Sequence, residues 1–132
     1  TIEQRIRERD WMIWEGRTMK EFETDPDTHW TQVESDKSVR DRAVEFLNEI
    51  AKNNIGKNIL VVTHGGLMRN VLIRLFDLPW TVDEIRVGNA AFYTLEYSAE
   101  EKWMLGSERD NVAFPDEALL KAMMISKTPA MV

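Results

Sequence analysis

The chain has 132 residues, 43% of them hydrophobic and 30% charged, the balance of one ordinary soluble globular domain. It contains no cysteine, which excludes disulfides, thiol nucleophiles and thiolate metal sites. A net charge of −6 argues against nucleic acid as a partner, and no apolar run approaches the roughly 18 residues of a membrane span. No signal peptide is visible, so a cytoplasmic location is the default expectation. Thr1 falls inside a charged amphipathic pattern and reads as a cut or processed end.

Residues 1–16 are dense in charge and close on Trp14-Glu15-Gly16. Thr18-Met-Lys-Glu21 fits a capping box, which predicts a short helix over about 19–25, stopped by Asp25-Pro26-Asp27. Residues 27–37 are polar and loop-like, with Trp30 and Val33 as anchors. Val39, Ala43, Phe46, Leu47 and Ile50 keep one face of a 3.6-residue period, predicting a helix over roughly 38–53. Ile59–Thr63 is a short β-branched apolar run, expected as a buried strand. A helix over Leu67–Phe76 follows, with Val71, Leu72 and Leu75 inward and Arg69, Asn70 and Arg74 on the other faces.

Thr81–Ile85 suggests a short helical turn, and Gly88-Asn89 a chain turn. Ala90–Tyr97 alternates as a strand, and Lys102–Leu105 forms a hairpin with it. Pro115-Asp116 opens a last helix through about Ile125, and 126–132 is a tail expected to be mobile. No linker divides the chain, and the element order suggests an α/β layer structure with only three visible strands.

The strand, Thr63-His64-Gly65-Gly66 and the helix together deliver a histidine to a helix N-terminus. Free N–H groups and a partial positive charge there favour phosphate. The glycines permit close backbone approach, so His64 and Gly65 are candidates for phosphate binding. The bland alternative is a strand-end histidine satisfied by a backbone bond; two adjacent glycines weigh against it. Glu8 is the second candidate: a carboxyl group beside an apolar ring can serve as a proton donor, and Trp11 lies close by in sequence. By charge pattern alone Glu8 reads first as a solvated acid, and Glu15 competes for the role. Arg69 carries a smaller expectation, and His29 reads as a surface residue. With only two histidines and no local carboxylate pattern between them, neither a metal nor another cofactor is expected.

Val62-Thr63-His64-Gly65-Gly66 resembles the second-histidine motif of the histidine phosphatase, or phosphoglycerate mutase-like, superfamily. Arg7 through Gly16 is similar to its Leu-x-Glu-x-x-x-Gly-x-Trp-Glu-Gly segment. Glu34-Ser35 followed by Arg42 resembles the Glu-Ser and helix arginine between those motifs, and Asn89-Ala90-Ala91 and the segment ending in Asn111 resemble the later strand entry and C-terminal region, in order and spacing from about residue 6 to 112.

The resemblance implies a three-layer α/β/α fold and phosphoryl transfer through a phosphohistidine. His64 then matches the second histidine, which stabilises the transferring charge, and Glu8 matches the acid/base. The family's Arg-His-Gly nucleophile motif does not occur in this sequence, and Met12 occupies the usual glycine. The chain therefore reads, over 1–132, as a partial domain lacking the N-terminal central strand. That strand would lie between 59–63 and 90–97, and a preceding segment or a second copy of the chain is the expected partner.

Glu8 and His64 stand 56 residues apart, the compact spacing of the monofunctional phosphatases. The resemblance therefore implies hydrolysis of a small phosphomonoester in the complete protein, with this chain alone inactive. Mutase activity, an inactive remnant that only binds, and an unrelated α/β domain are the alternatives.

Overall fold

The computed structural model describes residues 1–24 and 33–127. Asp25-Pro26-Asp27, His29 and Trp30 lie outside the described residues, as does the tail from 128. The elements are α1 (Met19–Thr24), α2 (Asp36–Lys52), α3 (Gly65–Phe76), β1 (Arg86–Tyr97), β2 (Trp103–Ala113) and α4 (Glu117–Lys127), with 3-10 turns at Gln4–Ile6, Met12–Trp14 and Val82–Glu84. They form a mixed helix and strand structure around one two-stranded antiparallel sheet.

The starts of α1 and α2 are set by side-chain caps. Thr18 and Glu21 exchange the bonds of a capping box ahead of α1: Thr18 N donates to Glu21 Oε2 at 2.7 Å, and Glu21 N donates to Thr18 Oγ1 at 3.2 Å. Ser35 caps α2, its hydroxyl accepting from Ser38 N at 3.1 Å. α3 begins directly after His64 and ends at Asp77, which takes the left-handed conformation at φ 52°.

α2 packs on α3 through Val39, Ala43 and Leu47 against Leu67 and Val71. The other face of α3, with Leu72, Ile73 and Phe76, packs over the hairpin and α4 through Ile85, Val112, Phe114 and Leu120. A third, aromatic cluster of Trp11, Trp14, Phe22 and Val33 covers the N-terminal loop, its rings meeting edge to face.

Four expectations are corrected. Ile59–Thr63 joins no sheet, and it is not buried: Leu60 is 89% and Val62 79% exposed. A strand is stable only when a neighbour accepts its ladder, and among the described residues none stands beside it. Gly88-Asn89 does not turn the chain but lies in β1, where the register slips between Val87↔Val112 and Phe92↔Asp110. Ala90 (φ 54°) and Asn111 (φ 56°) absorb this irregularity, and a Cβ on Gly88 would stand 2.1 Å from Asn111 Nδ2. Asn70 is 1% exposed and not on a polar face, because its amide has two partners inside the molecule. The last helix runs on to Lys127, so Ser126 belongs to it and not to a tail.

Candidate active site

His64 occupies the N-cap position of α3 in extended backbone (φ −112°, ψ 151°), and its side chain makes no capping bond and is exposed. Its carbonyl accepts Met68 N at 3.0 Å, which starts the helix. Gly65 and Gly66 therefore sit in the first turn, where backbone N–H groups have no partner within the helix. Gly65 packs on β1: a Cβ there would meet Val87 at 3.7 Å, an ordinary contact.

Gly66 is placed differently. A Cβ on it would stand 2.9 Å from Glu8 Oε1 and 3.2 Å from Oε2, so a side chain there would push that carboxylate out of its present place. Glu8 Oε1 also accepts Arg9 N at 2.8 Å. The loop that carries Glu8 reaches α3 because Thr63 Oγ1 donates to Ile6 O, joining the residue before His64 to the N-terminal turn.

A cavity of about 180 Å³ opens here, lined by Glu8, Arg9, Trp11, Gly66, Arg69 and Asp83, with Asp36, Asn70 and Val82 completing it. Two guanidinium groups and three carboxylates thus face one small volume. Arg69 is steered toward it by long bonds of 3.3 Å from Nε to Gly65 O and from Nη1 to Val82 O. Asn70 braces the first turn of α3: its Nδ2 donates to Gly66 O at 3.0 Å, and its Oδ1 accepts Arg40 Nε at 2.9 Å. Among the described residues no group of three or more His, Cys, Asp or Glu is placed to hold a metal ion.

A dense polar network around Arg42 and Glu34 ties down the loop that carries Glu8. Arg42 donates from Nε to Glu34 Oε1 at 2.8 Å and from Nη2 to Glu34 Oε2 at 3.0 Å, a two-pronged pair. Its remaining donors reach backbone: Nη1 to Arg5 O and Arg7 O, each 2.8 Å, and Nη2 to Glu8 O at 3.1 Å. Glu34 is 7% exposed. It also accepts Asp10 N at 3.0 Å and the Ser38 hydroxyl at 2.8 Å. Burial by itself would push the Glu34 carboxyl up; the Arg42 guanidinium, the Asp10 N–H and the Ser38 hydroxyl reverse this and hold it at about 2. Arg9 adds bonds to Glu34 O and to the Asp36 carboxylate.

Of the residues singled out in the sequence, Glu8 and the first turn of α3 are brought together. Arg69 lines their cavity. Glu15 does not: it is exposed and accepts Trp11 N at 3.1 Å within its own turn. Met12 holds φ 48°, the left-handed conformation that a glycine would adopt without strain. Sequence reasoning passed over Arg9, Asp36, Asn70 and Asp83 as site residues. Asn70 carried one signal, an amide amid the apolar positions of a helix.

Residues 1–109 match the model of the histidine phosphatase superfamily (branch 1), and the chain belongs to that superfamily. It is similar to a metal-independent phosphoserine phosphatase of Arabidopsis thaliana, 40% identical over 77 residues. That match covers 58% of this chain and 31% of the relative, so the chain spans about a third of the relative's length there. No solved structure matches the chain. Among the described residues, no helix is long and apolar enough to cross a membrane.

Proposed function

We propose that the chain supplies the second histidine, His64, and the acid/base, Glu8, for phosphomonoester hydrolysis through a phosphohistidine. The observation that carries this reading is the Glu8 carboxylate standing against Gly66, in the first turn of the helix that His64 caps. An anion at that turn meets unpartnered N–H groups of Gly65 and Gly66 and the positive end of the helix. Arg69 adds a cation on the cavity wall.

In the first step a histidine nitrogen on a further segment attacks phosphorus. The ester P–O bond breaks, and protonated Glu8 gives its proton to the leaving alkoxide. In the second, the Glu8 carboxylate takes a proton from water, the water oxygen attacks phosphorus, and the P–N bond breaks to release phosphate. His64 and Gly65 hold the equatorial oxygens in both steps.

The nucleophile is assigned to a further segment because Arg-His-Gly occurs nowhere in the sequence. Exposed Ile59, Leu60 and Val62, together with exposed Phe92 on β1, support a missing central strand between 59–63 and β1. With it, 1–132 forms part of one three-layer α/β/α domain, completed by a preceding segment; a second copy of the chain, which lacks Arg-His-Gly, would complete only the sheet. The cytoplasm is the proposed compartment. A phosphorylated amino acid such as phosphoserine is the proposed substrate, and hydrolysis is preferred to mutase transfer, both by analogy with the Arabidopsis relative.

A single-turnover experiment tests this. The chain, mixed with 32P-phosphoserine, forms no acid-labile phosphoenzyme by itself. It forms one when a segment bearing Arg-His-Gly is supplied, and loses turnover in Glu8→Gln. Stable label on His64 of the isolated chain overturns the assignment. Persistent inactivity with the segment supplied favours a remnant that binds without turnover.

A further inference from the structure

The geometry points to Arg42 as a positioning residue for Glu8, acting through the backbone of the loop and not by touching substrate. This rests on the acid/base reading of Glu8 and adds how that carboxylate is held in place. A guanidinium has five N–H donors in a fixed plane. Those of Arg42 make five bonds: two to the Glu34 carboxylate and three to the carbonyls of Arg5, Arg7 and Glu8.

Three carbonyls within four residues converge on one cation, which fixes the path of the loop up to the residue that bears the carboxylate. Glu34 holds Asp10, two residues further on, since Asp10 N donates to Oε2 while Glu34 N donates to Asp10 O at 2.8 Å. The loop is thus tied on both sides of Glu8 to α2 and to the residue just before its cap. α2 packs firmly on α3, so the same helix fixes both the loop and Gly66. No regular strand or helix holds residues 7–11, where the clamp replaces secondary structure.

Lysine cannot perform this role. It carries three donors on a point charge and cannot span a carboxylate and three carbonyls. Arg42→Lys keeps a cation beside Glu34, and so retains much of the pairing, while releasing the loop. The readout is an NMR cross-peak between the Glu8 side chain and Gly66 Hα, with cross-peaks from Ala43 to α3 as the control for folding.

In Arg42→Lys the control peaks persist and the Glu8–Gly66 peak is lost. The paired replacement Arg42→Met with Glu34→Met removes both charges together and strands neither in the interior. It gives the same result by a second route. A Glu8–Gly66 peak at wild-type intensity in either folded variant overturns the proposal. Loss of the control peaks in both variants overturns it as well, because the pair then serves the core and not the loop. Failure of the catalytic reading is separable: Glu8→Gln that leaves turnover of the completed protein intact defeats that reading, whereas the cross-peak reports only on position.

Discussion

Two segments approach the N-terminus of α3, and they are held in opposite ways. The Glu8 loop is polar and irregular, yet it is tied by Arg42, Glu34 and Arg9 to α2. Residues 59–63 are largely apolar and directly continuous with His64, yet among the described residues their one side-chain bond is that of Thr63 to Ile6. Polar bonds can be closed within the chain, whereas an extended apolar run needs a neighbouring strand for its ladder and its side chains. The Glu8 loop is thus closed by polar bonds within the chain, whereas 59–63 has no strand beside it among the described residues.

The largest expected effect comes from breaking the first segment. Arg42→Met leaves the buried Glu34 carboxylate without its cation and destabilises the chain by about 3–5 kcal/mol, measured by urea unfolding. A smaller loss would show that the pair is better solvated than its burial implies.

Acid sharpens the same contrast. The Glu34 pKa is depressed to about 2 in the fold. Its stabilisation is therefore complete above the ordinary carboxylate value of about 4.3 and is lost as pH falls through 2. Unfolding midpoints followed from pH 5 to pH 2 decline in the wild-type chain, and the decline is shallower in Glu34→Gln. Equal slopes in the two would remove Glu34 as the group responsible.

Met12→Gly relieves a left-handed residue in the same loop. The strain of about 1–2 kcal/mol exceeds glycine's entropy of about 0.5–1 kcal/mol, so a net gain of about 0.5 kcal/mol is expected in thermal unfolding. The smallest effect belongs to the second segment. Leu60→Thr changes the stability of this chain by less than about 0.5 kcal/mol because the side chain is already in solvent. The same change weakens association with a completing strand, measured by titration calorimetry. A large loss in the chain by itself would mean that 57–63 is already packed.

Local signals carried the helices well. The capping box at Thr18, the apolar period from Val39 and the two glycines after His64 each act within a few residues, and each helix formed close to where those signals place it. The hairpin was legible from its alternation, but its extent was not. β2 continues through Gly106–Ala113, where charged residues face solvent on a strand held by pairing. Glu8 stood out only through its motif, because its charge pattern matched that of a solvated acid.

The sequence by itself determined where backbone geometry changes: helix starts, the His-Gly-Gly turn, the hairpin, and the lack of an Arg-His-Gly motif. Those depend on neighbours along the chain, whose conformational preferences and hydrogen bonds are local. Only the tertiary structure decided that Glu8 meets Gly66, that Asn70 is interior, that Arg42 collects three carbonyls, and that 59–63 has no strand beside it among the described residues. Each joins or exposes groups set by long-range packing, and no local pattern specifies which of many equivalent charges or apolar runs will find a partner.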